Sequence, residues 1–96
     1  DDIRRQKFIV SHLRELWNSI NYGGADIRGY MHWSLTDNFE WAEGFTARFG
    51  LISIDYENDF ERKPRLSSEI YAKIIRSNSI SSDINKKYSY LRKEAK

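Results

Sequence analysis

The sequence predicts an α/β fold, and three observations carry that reading. A helix-period apolar stripe runs through the first twenty residues. A strand-like stretch with imperfect alternation follows it, and a second helix-period stripe comes after a short alternating segment. Imperfect alternation suits a strand covered on both faces, which needs helices packed on it and further strands beside it. One such strand between two helices cannot satisfy its own ladder hydrogen bonds. Two architectures stay open on pattern alone: a segment of a larger parallel α/β sheet or barrel, and a small α+β domain.

The first segment, "DDIRRQKFIVSHLRELWNSI", has Ile9, Leu13, Leu16 and Ile20 at helical spacing, with Val10 and Trp17 widening the stripe. Asp1 and Asp2 sit at the positive end of its dipole. Asn21-Tyr22-Gly23-Gly24 stops it, with glycine serving as cap or turn. "ADIRGYMHWSL" is the expected buried strand. "TDNFEWAEGFTARFG" has no clean period and is expected as a loop. "LISIDY" alternates Leu51, Ser53 and Asp55 against Ile52, Ile54 and Tyr56, which predicts a short strand. "ENDFERKPR", with Pro64, is expected as a polar turn. "LSSEIYAKII" predicts a second helix with Ser67 or Ser68 near its start and Leu66, Ile70, Tyr71, Ile74 and Ile75 buried. From Asn78 the composition turns polar and basic, and residues 78–96 are expected to form a tail or surface strap.

Bulk properties narrow the function classes. A chain of 96 residues is one small domain's worth and buries only about 60–65% of its unfolded surface. Sixteen basic against fourteen acidic residues leave a net charge of +2, which argues against a dedicated nucleic-acid binder. No apolar run approaches the roughly 20 residues of a membrane-spanning helix. The chain has no cysteine, hence no disulfide and no thiolate metal site, which fits a cytoplasmic protein. His12 and His32 lie on different elements without metal-ligand spacing, so neither a metal nor another cofactor is expected. Phosphate-loop, dinucleotide and nucleophile-elbow motifs are missing. Arg4, Arg5 and Lys7 on the helix, and Lys86, Lys87, Arg92 and Lys93 in the tail, read as solvated charge rather than a groove for nucleic acid or a membrane surface. The chain opens on Asp1-Asp2 rather than methionine, which suggests an internal start.

The chemistry concentrates in "WSLTDNFEW", residues 33–41. Indole and phenyl faces suit the C–H face of a sugar ring, and an indole keeps an N–H for a hydroxyl. A carboxylate beside them accepts charge-assisted bonds from neighbouring sugar hydroxyls. Trp33, Glu40 and Trp41 thus form a candidate sugar-binding set; the competing reading buries Trp33 and Phe39 and leaves Glu40 in solvent. Asp37, Glu40 and Glu43 raise a hydrolase possibility, since glycosidases use paired carboxylates about 5–5.5 Å apart when retaining and 6.5–9.5 Å when inverting. Acids are common in loops, and Asp37 and Asn38 are expected to bond local backbone amides instead.

Longer patterns add a family. "RGYMHWSLTDNFEWAEGFTARFGLISIDY" followed by "RKPRLSSEIYAKII" resembles the C-terminal end of the glycoside hydrolase family 1 β-glycosidases. The family run is close to G-Y-x-x-W-S-L-x-D-N-[FY]-E-W, then G-[YF]-x-x-R-F-G-[LI], then a valine or isoleucine before Asp-Tyr. The match extends from about Gly24 to Ile75, and "AEGF-ARFGL" with the basic tail is closer to the archaeal members. His32 and Ile70 are the small departures, at positions where an aromatic or apolar residue and a tryptophan are common.

The resemblance implies a (β/α)8 TIM barrel. Residues 1–77 would be its C-terminal portion and residues 78–96 a basic tail. "IRGYMHWSL" would be the eighth strand, the first helix the seventh barrel helix and "LSSEIYAKII" the eighth. The loop after the strand would lie on the catalytic face. By the same resemblance Trp33 lies under the sugar, Glu40 grips the hydroxyls at C4 and C6, Trp41 bonds the C3 hydroxyl, and Phe49 lines the pocket. The family's acid/base and nucleophile motifs, Asn-Glu-Pro and Glu-Asn-Gly, do not occur in this sequence, so no catalytic residue is expected here. The expected partners are a β-linked glucoside or galactoside, the missing N-terminal part of the barrel, and further copies in a homo-oligomer when complete; nucleic acid and membrane are not expected. A stand-alone carbohydrate-binding module and one chain of a split enzyme are the alternative readings.

Overall fold

The computed structural model describes residues 2–88. The chain forms helix α1 (Asp2–Asn21), a single 3-10 turn (Trp41–Glu43), strands β1 (Ile52–Asp55) and β2 (Glu61–Pro64), helix α2 (Leu66–Ser77) and helix α3 (Ser82–Lys87). The two strands make an antiparallel hairpin in which Ile52 faces Pro64 and Asp55 faces Glu61. Helices α1 and α2 pack together, and Ile9, Val10, Leu51, Ile70, Ile74 and Tyr88 form the core between and beneath them.

Helix α1 ends where expected. Gly24 takes φ of +69°, and Ala25 N–H donates to the Ser19 carbonyl at 3.0 Å, closing the last turn. Its buried face is turned relative to the predicted stripe: Gln6, Ile9, Val10 and Arg14 are buried, Leu13 and Leu16 are partly covered, and Trp17 and Ile20 are exposed. The polar pair is satisfied inside. Tyr88 O–H donates to Gln6 Oε1 at 2.6 Å, and Arg14 Nε donates to Asn85 Oδ1 at 2.9 Å. These two bonds pin α3 and Tyr88, both within the predicted polar tail, against α1. Residues 89–96, with Arg92 and Lys93, lie outside the described residues.

Helix α2 starts and ends as the pattern implies, but Leu66 and Ile75 are exposed rather than buried. Only the Ser67, Ile70 and Ile74 face meets α1, because α1 is its one helical neighbour on that side. Its first turn lacks a side-chain cap of its own. Asp2 supplies one from the other helix, accepting Ser67 N–H at 3.0 Å and Ser67 Oγ–H at 2.6 Å. The Asp2 carboxyl also accepts from Gln6 and Arg5. Burial pushes its pKa up; Ser67, Gln6 and Arg5 outweigh that and hold it below the ordinary value.

Two sequence expectations change. "ENDFERKPR" is not only a turn: its second half is β2, whose four residues are all exposed. A charged, proline-ended edge strand has no apolar alternation to read, and charge and proline are common on such edges. The turn before it places Asp59 and Phe60 at positive φ. The expected strand "ADIRGYMHWSL" carries no regular secondary structure over residues 24–32. Its alternation is nevertheless real from Tyr30 onward: Tyr30 and His32 turn toward the helices and Ser34 is buried, while Met31, Trp33 and Leu35 are exposed. Backbone pairing begins only at Ser34, which donates to the Phe49 carbonyl at 3.2 Å and accepts from Leu51 N–H at 2.9 Å. A strand needs ladder partners, and none faces residues 26–33 among the described residues.

Candidate sugar-binding site

The loop from Asp37 to Arg48 carries the predicted site. At its base, residues 34–37 run parallel to residues 49–52, with a bridge between Thr36 and Ile52. Gly50 sits in that crossing. A Cβ built on it would fall 2.2 Å from the Asp37 amide nitrogen, so only glycine lets the two backbones approach this closely.

Asp37 is the hub of the base, and its side chain is completely buried. Oδ1 accepts from Gly50 N–H at 3.0 Å and Arg65 Nη1 at 3.0 Å. Oδ2 accepts from Ile54 N–H at 3.2 Å, Arg48 Nη1 at 3.0 Å and Arg65 Nη2 at 3.1 Å. Burial would raise the carboxyl's pKa; Arg65, the Ile54 amide, Arg48 and the Gly50 amide outweigh it and hold it at about 2. Each arginine also donates to a backbone carbonyl, Arg48 to Ile54 and Arg65 to Gly50. The expectation that Asp37 bonds local amides is therefore corrected: its amide partners lie 13 and 17 residues away. Asn38 does bond locally, but to the Thr36 carbonyl rather than to an amide. A carboxylate so fully occupied and so acidic is no general acid, which removes Asp37 from any catalytic pair.

The tip is arranged differently. Trp33 Nε1–H donates to Glu40 Oε1 at 3.4 Å, at the long end of the hydrogen-bond range. Glu40 Oε2 is buried and has no partner among the described residues. Trp33 is 68% exposed and Trp41 84%. Trp41 has φ of 51°, an uncommon region for a bulky residue, held by the turn in which Gly44 N–H donates to the Trp41 carbonyl at 2.9 Å. Its ring is exposed and Glu43 is exposed as well. Phe49 shares with Trp33 an open hollow of about 390 Å³, lined also by Arg5, Phe8, His32 and Arg48. The structure thus joins Trp33 to Glu40 and Trp33 to Phe49, and leaves the Trp41 indole free in solvent.

The surroundings hold the aromatic wall. His32 lies among Phe8, Tyr30 and Tyr71, with ring centroids 5.8 Å from Tyr71. Burial first, and the Arg5 charge second, push its pKa down. His12 stacks on Phe8 at 3.8 Å, on the outer side of α1. Among the described residues no group of three potential metal ligands occurs, and no helix is long and apolar enough to cross a membrane.

The sequence model of "Glycosyl hydrolase family 1" matches residues 1–80 of the chain. The chain belongs to glycosyl hydrolase family 1. Among curated family members, a β-galactosidase of Saccharolobus solfataricus is 45% identical over 83 residues, which is 86% of this chain and 17% of that protein. Beta-glucosidase 42 of Arabidopsis thaliana is 45% identical over 79% of this chain and 15% of its own length. Among solved structures, a β-glycosidase from Pyrococcus horikoshii superposes with a TM-score of 0.87 at 46% identity, over 92% of this chain and 20% of that one. The chain therefore spans about one sixth to one fifth of the length of the relatives it matches. The Saccharolobus and Arabidopsis relatives share the same 45% identity with this chain, so identity does not separate the archaeal members from the plant ones.

The residue that sequence reasoning misjudged is Asp37. Two arginines follow it, Arg48 at the loop's far end and Arg65 at a helix start. Nothing in the spacing says that both fold back onto one carboxylate.

Proposed function

We propose that the chain is the C-terminal part of a retaining β-glycosidase that hydrolyses terminal β-linked glucose or galactose, and that it forms the sugar-binding wall. The observation that carries this is the state of Glu40. One oxygen is held weakly by Trp33 and the other is buried without a partner. A buried acceptor left unpaired costs free energy, and a sugar hydroxyl would satisfy it. Trp33 beside it offers an exposed indole face for the ring, Trp41 a free N–H, and Phe49 an apolar flank. Relatives named β-galactosidase and β-glucosidase support both sugars. A rice β-glucosidase variant, 43% identical with a TM-score of 0.70, is described in covalent complex with glucose, which supports a glycosyl-enzyme route.

In this proposal residues 27–35 are the eighth strand of a TIM barrel, α1 the seventh barrel helix and α2 the eighth. The alternation of Met31, Trp33 and Leu35 toward the open side supports it, as does the backbone of residues 26–33, which pairs with no strand among the described residues. Residues 1–77 belong to the barrel and residues 78–96 to an appended segment. The catalytic glutamates come from the remainder of the barrel, and the chain alone hydrolyses nothing. A neighbour 43% identical is described as derived from a hyperthermophilic tetrameric structure, which supports a homo-oligomeric whole.

The test is turnover of chromogenic β-glucoside and β-galactoside by three samples: the purified chain, the remainder of the barrel, and their mixture. Activity is expected only where both parts are present. Turnover by the chain alone, lost in Glu40→Gln, would sink the proposal.

A further inference from the structure

We infer that Asp37 is a positioning residue for the sugar grip, closing the base of the 38–47 loop so that Glu40 stands at the right height over Trp33 and selects sugars bearing a C6 hydroxymethyl group. The inference rests on the sugar grip proposed above for Glu40 and on the C4 and C6 hydroxyl contacts that the family resemblance implies for it.

The loop is a ten-residue excursion whose two ends are joined by the Asp37–Arg48 ion pair at 3.0 Å. Compact loops of this length with adjoining ends are packed by their own side chains and behave as units. Inside the unit, Glu40 N–H donates to the Gly44 carbonyl at 2.7 Å and Glu43 N–H to the Glu40 carbonyl at 3.0 Å. Its ties to the rest of the molecule are few. Asn38 reaches back to Ser34 and Thr36, the Phe45 ring meets Tyr56 at 4.9 Å, and Trp33 reaches Glu40 at 3.4 Å. The base carries the strong bonds: five side-chain bonds end on Asp37, and the same two arginines also hold the Ile54 and Gly50 carbonyls. Gly50 leaves no slack between the crossing backbones.

A rigid base matters because the tip is poised at a margin. At 3.4 Å the Trp33–Glu40 bond is already long, and a shift of a few tenths of an ångström takes it out of range. Small misplacements of a positioning group are amplified in rate. Asp37 touches no substrate in this scheme. It acts only by fixing where the loop springs from.

The test uses the complete enzyme that contains this chain, with nitrophenyl β-glucoside and β-xyloside. The xyloside keeps the C4 hydroxyl and lacks the C6 hydroxymethyl group. In Asp37→Asn, kcat/KM for the glucoside should fall about tenfold further than for the xyloside, the lower range for one charge-assisted hydrogen bond. A purely structural defect reduces the concentration of folded enzyme and lowers both substrates by one factor; that equal loss would overturn the inference. Arg48→Lys, which leaves Arg65 and both amides on the carboxylate, reads the same ratio if Asp37→Asn does not fold. An unchanged ratio in whichever variant folds also overturns it. Glu40→Gln separates the two levels. If it lowers the ratio while the folded base variant does not, only the positioning inference fails. If Glu40→Gln leaves the ratio unchanged, the grip reading fails and takes the positioning role with it.

Discussion

The base and the tip of one loop each hold a carboxylate, three residues apart, in opposite conditions. Asp37 at the base accepts five hydrogen bonds and two arginines surround it. Glu40 at the tip accepts one long bond and keeps a buried oxygen unpaired. A folded chain satisfies nearly all its buried polar atoms. An acid that is saturated therefore belongs to the structure, whereas an acid left short is the one that gains from a ligand. Composition cannot make that distinction, since the two residues look alike in "TDNFEW". Only the count of partners does.

The largest expected effect falls at the tip. If Glu40 grips two sugar hydroxyls as proposed, at about 1.5–3 kcal/mol for each contact to a carboxylate, Glu40→Gln loses about 10²–10⁴ in kcat/KM on a β-glucoside. Steady-state kinetics of the complete enzyme, with its thermal midpoint measured alongside, checks this. A loss of only about twofold would erase the contrast, because Glu40 would then be as idle as a solvated acid.

The base should respond in stability. Asp37→Ala leaves two buried amides and the mostly buried Arg65 without their acceptor. Removing one partner from a buried ion pair costs about 3–5 kcal/mol. The thermal midpoint of the complete enzyme should fall well below that of Glu40→Gln. Equal midpoints would mean that the five bonds at the base are worth no more than the single bond at the tip.

How much of this was legible beforehand differs by the range of the interaction. Both long helices were, because Ile9 with Leu13 and Ile70 with Ile74 repeat at helical spacing and pack at the core. The family was legible from "WSLTDNFEW" and "RFGL", a string whose order carries more than its composition. Strand β2 was not, since Glu61, Arg62 and Lys63 are exposed on an edge and leave no apolar trace. The strand expected before Trp33 has the right alternation but lacks partners among the described residues. Trp33 meets Glu40 within one short run and shares a hollow with Phe49, while the Asp37 hub depends on Arg48 and Arg65, which are 11 and 28 residues away. Local pattern carries no information about contacts of that range.

Acid titration sharpens the contrast at the base. The Asp37 carboxyl sits at about 2 in the fold against an ordinary value of 3.8, so the folded state binds fewer protons than the unfolded chain between those values. Its contribution is fully present above 3.8 and is lost as pH falls through about 2. The shift corresponds to roughly 2 kcal/mol. Stability of the wild type should drop across that window, and Asp37→Asn should flatten the drop. An unaltered acid limb in the variant would show that Asp37 is not the group whose protonation weakens the fold.

The smallest effects divide the base itself. Arg65 keeps only 17% of its side chain exposed and meets both Asp37 oxygens, whereas Arg48 is 43% exposed and meets one. Lysine cannot reproduce a two-pronged contact, so Arg65→Lys should cost about 1–2 kcal/mol. Arg48→Lys replaces a half-exposed single contact that solvent screens, and should cost under about 1 kcal/mol. The ordering, read from thermal midpoints, matters more than either value. Arg65 sits at the start of α2 and Arg48 at the end of the loop. If Arg48→Lys proved the costlier, the hub would be tied chiefly to the loop. With Arg65→Lys costlier, Asp37 is anchored to the helix and the loop hangs from it, which is the arrangement that lets a stable base coexist with a tip left short of partners.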